Sequence, residues 1–189
     1  MCFKGSYRLT VGIDDSTYSD DETAVNRIWK IYETTRQGRL SNQRARSLWL
    51  DFFKPLLPLL NKLPSKQKSF DEFVIKKIVG LSKSKLLPKS QKGKFGIAQK
   101  VFNLFMKDQW ALDKFLNKSE LESLLHLPLD RGLLKKLTDC SWIAFTKVKT
   151  TEKSECEYLC IQKRYRDYWR RVGIFSSPIE MEQFIWQQI

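Results

Sequence analysis

The sequence predicts an all-α protein of two helical lobes, with at most a short strand or two. Three observations lead there. Apolar residues recur three and four positions apart along most of the 189 residues, the spacing of a helix face. Glycine and proline fall mainly at the ends of these runs, where helices stop. A composition 42% hydrophobic and 13% aromatic supplies one sizeable core, or two small lobes sharing one.

Residues 1–22 are expected to be an acidic arm. Phe3, Tyr7, Leu9 and Val11 alternate weakly, which predicts a short strand there, and a polar acidic stretch follows. One domain follows over 23–189, with lobes of about 23–88 and 89–189. Asp20 or Asp21 can cap a helix over about 22–36, in which Ala24, Val25, Ile28, Trp29, Ile31 and Tyr32 recur at helical spacing and which Gly38 can close. A second helix starts near Ser41 and carries Ala45, Leu48, Trp49, Phe52 and Phe53 to Pro55, and Pro58 breaks the run beyond. Trp29 and Trp49 read as core anchors. Ser69 and Asp71 precede a third helix through Phe73, Val74, Ile75, Ile78 and Val79, stopped by Gly80.

A basic glycine hairpin, Gly93-Lys94-Phe95-Gly96, then opens a short helix over 97–107. Ile97, Val101, Leu104 and Phe105 form its apolar face, and Lys100, Asn103 and Lys107 form a neighbouring stripe. A helix after Asn117 leads to His126, read as a turn or interface histidine, and to Pro128. Asp130 starts the next helix, which runs to Leu137. Residues 142–149 alternate enough for a short strand or a loop. A long helix over about 155–172 presents Tyr158, Ile161, Tyr165, Tyr168 and Trp169 and ends at Gly173. Ser177 and Pro178 open the terminal helix, with Ile179, Met181, Phe184, Ile185 and Trp186.

The net charge of +13 points to a polyanionic partner, nucleic acid first. The charge is uneven. Residues 14–22 hold five acids and no base, whereas residues 62–107 hold twelve lysines against Asp71 and Glu72. The basic stretch therefore ends inside the lysine-bearing helix, and the acidic arm could cover it when DNA is absent. Four scattered cysteines and one histidine make neither a zinc set nor a disulfide framework, which fits a reducing cytoplasm. No apolar run approaches the length of a membrane span, and the N-terminus lacks a signal-peptide core. The expectation is a cytoplasmic, nucleoid-associated monomer with no membrane partner.

The candidate chemistry lies within 93–130. A glycine hairpin joining two helices can hold a DNA phosphate on backbone N–H groups, with Lys92, Gly93, Lys94, Gly96 and Arg131 as its contacts. Excising a base requires attack at the anomeric carbon of the sugar, and an amine attacks only when deprotonated. A lysine on a partly buried helix face among basic neighbours meets that need. A nearby carboxylate can orient the amine, take its proton and stabilise the positive sugar. No metal or other cofactor is required. Each residue also has a plain structural reading: Asp130 as an N-cap, Lys100 as a solvent-reaching stem, Trp186 as a core side chain.

Gln99-Lys100 followed by an apolar helix to Lys107, and Pro128-Leu129-Asp130 about thirty residues on, resemble two blocks of the helix-hairpin-helix DNA glycosylase superfamily, specifically its archaeal 8-oxoguanine glycosylase branch. A third block, Tyr158 with Ile161-Gln162-Lys163, then Gly173-Ile174, Pro178 and Trp186, resembles the C-terminal helices that close over a flipped base. The similarity covers about half the chain. It implies Lys100 as nucleophile and Asp130 as its carboxylate partner, with Lys107 lining the base pocket and Trp186 stacking on the base. Glu182 stands where the family has an aspartate, and Leu104 stands in place of an aromatic wall. The Gly-x-Gly-x-Lys hairpin of the wider superfamily is absent, since Gly96 lies four residues before Lys100. The expected function is a DNA glycosylase with AP lyase activity on double-stranded DNA carrying a modified base, an oxidised purine such as 8-oxoguanine first. Two readings stand beside it: an inactive DNA-binding module on the same scaffold, and a basic protein-interaction protein of a mobile element or defence system.

Overall fold

The structure is a computed structural model that describes residues 3–115, 118–136 and 140–188. Cys2, Asn117 and Leu137 lie outside the described residues. Nine α-helices and no sheet are found among those described: α1 (Phe3–Val11), α2 (Asp21–Glu33), α3 (Asn42–Leu48), α4 (Gln67–Lys83), α5 (Phe95–Ala111), α6 (Lys118–Leu124), α7 (Arg131–Lys136), α8 (Glu152–Val172) and α9 (Pro178–Gln187). A π-helical turn (Trp49–Phe53) and 3-10 segments (Lys54–Lys62, Lys89–Gln91, Ser141–Lys147) connect them. No helix described is long and apolar enough to cross a membrane.

The centre of the molecule is α5. Every residue of this helix except Leu104 is buried, and α1, α2, α4 and the Ser141–Lys147 segment all pack on it. A helix covered on all sides must bury its polar residues as well, so Gln99, Lys100, Asn103, Lys107 and Asp108 lie inside the protein. The apolar core is one continuous cluster on both sides of α5.

The N-terminal arm is corrected to a helix. Phe3, Tyr7 and Val11 are spaced four apart, and this helical period prevails over the shorter alternation that includes Leu9, which is 87% exposed. Tyr7 is buried and donates to Asp108 Oδ1 at 2.7 Å. Two of the acids that follow are engaged within the protein: Asp20 caps α2 by accepting from the Thr23 N–H at 2.8 Å, and Asp21 accepts from Trp49 Nε1 at 2.7 Å and from Lys54.

Several boundaries also differ from expectation. The second helix ends early, and its apolar run continues through the π turn into a 3-10 segment that accommodates both prolines, with Pro55 in the first turn where no donor is needed. Gly80 lies inside α4 rather than ending it, and Ser84, in an extended conformation, is the stop. The helix expected to end at Lys107 runs on to Ala111. Residues 142–149 hold a 3-10 segment and one isolated bridge, Lys94 to Lys149. The long helix α8 starts three residues earlier than expected because Thr151 and Ser154 cap it reciprocally.

Candidate active site

The connection from α6 to α7 passes through the core without regular structure, so its backbone polar groups need partners. Side-chain amides supply them. Gln99 donates to the Leu129 carbonyl at 2.7 Å and accepts from the Leu129 N–H at 3.1 Å. Gln162 on α8 makes the same two bonds to Leu127, both at 2.9 Å, and Asn103 adds a third to the Leu127 carbonyl. A carboxamide matched to a peptide group in this way imitates one rung of a β-ladder. Gln99 grips Leu129, so the next residue along α5, Lys100, meets the next residue of the connection, Asp130.

Lys100 Nζ lies 3.6 Å from Asp130 Oδ2 and donates to the Thr34 carbonyl at 3.0 Å. It sits 5.5 Å from the centre of the Phe145 ring. The other oxygen of Asp130 accepts from the Leu133 N–H at 2.9 Å, so the aspartate is the N-cap of α7 as well as the lysine's partner. Trp186 Nε1 donates to Asp130 Oδ2 at 3.0 Å, and the indole is half exposed. Burial, foremost, pushes the Lys100 amine below the ordinary lysine range against the pull of Asp130, and the Arg36 charge adds to the lowering.

These groups open on a cavity of about 90 Å³, lined also by Leu104, Lys107 and Glu182. Lys107 pairs with Glu182 through a short hydrogen bond and stands 4.6 Å from the Tyr7 ring centre. Burial raises the Glu182 carboxyl and Lys107 opposes that shift. Arg27 forms a third wall and is held by Asp108 through bonds of 2.6 and 2.7 Å. Tyr7 and Tyr18 complete the shell of Asp108. Each cation at the cavity therefore has its own carboxylate, and the interior offers no unbalanced charge.

All six expected catalytic and base-pocket residues thus line one cavity. The expected DNA contacts do not. Lys92, Gly93, Lys94, Gly96 and Arg131 are not among its lining residues. The hairpin N–H groups are largely used within the protein, Gly93 to the Ser82 carbonyl, Lys94 to Gln91 and Gly96 to Val148. Gly96 is required by close approach, since a Cβ there would lie 1.8 Å from the Phe145 carbonyl oxygen. Arg131 is exposed at the start of α7.

Sequence reasoning missed Arg27, Asp108, Thr34 and the glutamine grip. One signal was present: Arg27 falls on the core-facing stripe of Ala24, Ile28 and Ile31, where a charge must find a buried partner. Among the described residues no group of three or more His, Cys, Asp or Glu side chains is placed to hold a metal. No protein-family model, no curated protein and no solved structure matches this chain.

Proposed function

We propose that the chain is a monomeric DNA glycosylase with associated AP lyase activity, working at the nucleoid on double-stranded DNA that carries a damaged or modified base, an oxidised purine such as 8-oxoguanine first. The observation that carries this reading is the buried Lys100 amine 3.6 Å from Asp130, at the wall of a cavity. A neutral nucleobase suits that cavity better than a phosphate does, because its three cations are already paired. The resemblance of the three sequence blocks to the archaeal glycosylase branch supports the same assignment of residues.

In this mechanism one nucleotide leaves the duplex and its base enters beside Trp186. Asp130 takes a proton from Lys100, and the Nζ lone pair attacks C1′. The C1′–N bond breaks, and the base departs with that electron pair and takes up a proton. Opening of the sugar ring gives an iminium joining Lys100 to C1′. Loss of a C2′ proton then expels the 3′ phosphate, and water releases the lysine.

Borohydride reduces the iminium to a stable amine, so the expected result is a covalent protein–DNA adduct on duplexes carrying the target lesion. Lys100→Ala should abolish it, and Asp130→Asn should slow it by roughly 10²-fold or more. Binding without any adduct on a panel of modified or abasic duplexes would instead identify an inactive DNA-binding module. Failure to retain duplex DNA at low salt would favour a protein partner.

A further inference from the structure

The turn closing α2 holds a conformation its residue does not favour. Arg36 has φ +54, in the left-handed region that glycine adopts readily and other residues seldom do. Such strain persists where the surroundings impose it and gathers at functional sites. Here the turn is tied to the nucleophile, since Thr34 lines the cavity and its carbonyl accepts from Lys100. Arg36 N–H donates to the Glu33 carbonyl at 2.9 Å, which fixes the turn from its other side. The Arg36 side chain is exposed and forms no ion pair among the described residues, yet it lies near enough to act on the Lys100 charge. Arg131 directly follows Asp130 and is likewise exposed and without an ion pair among the described residues. A cavity whose own charges cancel thus has an exposed arginine two residues after the carbonyl that accepts from Lys100, and another directly after Asp130.

We propose that Arg36 grips the DNA phosphodiester next to the nucleotide whose base enters the cavity, with Arg131 as its counterpart on the Asp130 side. This rests on the glycosylase reading and adds a strand contact to it, since the hairpin's backbone donors are largely engaged within the protein. A guanidinium fork matches two phosphate oxygens, and the left-handed turn fixes the Arg36 backbone two residues from the carbonyl that accepts from the amine that must reach C1′.

The test compares wild type, Arg36→Gly and Arg164→Ala, the last an exposed arginine on α8 that does not line the cavity. Affinity for a duplex holding a tetrahydrofuran abasic analogue, which cannot form an iminium, is measured at several salt concentrations. Glycine accepts the positive φ, so Arg36→Gly should melt no lower than wild type. Its log–log salt slope should fall by about 1, the signature of one lost phosphate contact, while Arg164→Ala keeps the wild-type slope. An unchanged slope in Arg36→Gly, or an equal fall in Arg164→Ala, overturns the proposal. Borohydride trapping of wild type on lesion DNA, run in parallel, decides the glycosylase reading separately. Trapping with an unchanged slope removes only the Arg36 contact, and a reduced slope without trapping removes only the chemistry. No binding by wild type removes both.

Discussion

At the scale of single residues, the state of one proton decides whether Lys100 can react. Burial holds its amine below the ordinary lysine range while Asp130 pulls the other way. In the proposed mechanism the neutral amine is the nucleophile, so trapping should accelerate as pH rises through the folded-state pKa of Lys100 and level off above it. That rising limb should lie at lower pH than for a free lysine. Asp130→Asn removes the anion that favours the protonated form, so the limb should move to still lower pH even as the plateau rate falls. Initial trapping rates against pH at saturating DNA would show both effects, and a limb that stayed in place would break the link between the two residues. Lys100 and Asp130 were legible in the sequence from the chemistry an amine and a carboxylate can perform, whereas Lys107, Glu182 and Trp186 were marked only by the resemblance of the blocks that hold them. Arg36 was not legible, because a positive φ belongs to the folded turn and leaves no mark in residue type.

At the scale of elements, the irregular connection from His126 to Asp130 matters as much as any helix. Gln99 satisfies both backbone groups of Leu129 and also donates to the Gly96 carbonyl at 3.0 Å. Gln99→Leu keeps much of the volume but leaves the buried Leu129 N–H and carbonyl unpaired, at a cost of about 2 kcal/mol or more. Urea unfolding at neutral pH should show this loss, and Gln99→Leu should also trap DNA more slowly per folded molecule because Asp130 is no longer held in register with Lys100. Wild-type stability in that variant would mean the amide grip contributes nothing. The periodicity of α2 and α8 was readable because their apolar stripes are long, and α9 was readable because Ser177 and Pro178 mark its start. The first helix was misread for a physical reason: nine residues hold too few turns to separate periods of two and four, and packing against α5 and α9 selects between them. Nothing local in the sequence shows that Gln99 pairs with a backbone thirty residues away.

At the scale of the whole molecule, the sole histidine ties the two sides of the core together. Asn103 Nδ2 donates to the Tyr158 hydroxyl oxygen at 2.8 Å, which leaves the hydroxyl proton for His126 Nδ1 at 2.9 Å. His126 Nε2–H then donates to Asp71 Oδ1 on α4 at 2.7 Å, and Arg166 on α8 lies 3.6 Å from the other Asp71 oxygen. This direction of bonds requires a neutral imidazole. Burial, foremost, lowers the His126 pKa from 6.5 despite Asp71, so the unfolded chain binds a proton that the folded one refuses. Stability should therefore decline as pH falls from about 6.5 toward the lower folded-state value. Glu182 works with the opposite sign, since its raised pKa makes the folded state the better proton acceptor as pH falls. Asp71, whose pKa is lowered, adds a loss only below its ordinary value of 3.8. The contribution of His126 is isolated by subtraction: His126→Gln does not titrate, so its urea-derived stability should fall less steeply than wild type between pH 6.5 and 5. Equal slopes for the two proteins in that window would show that the histidine is protonated as readily when folded as when unfolded, contrary to the bond directions that join α4, α5 and α8.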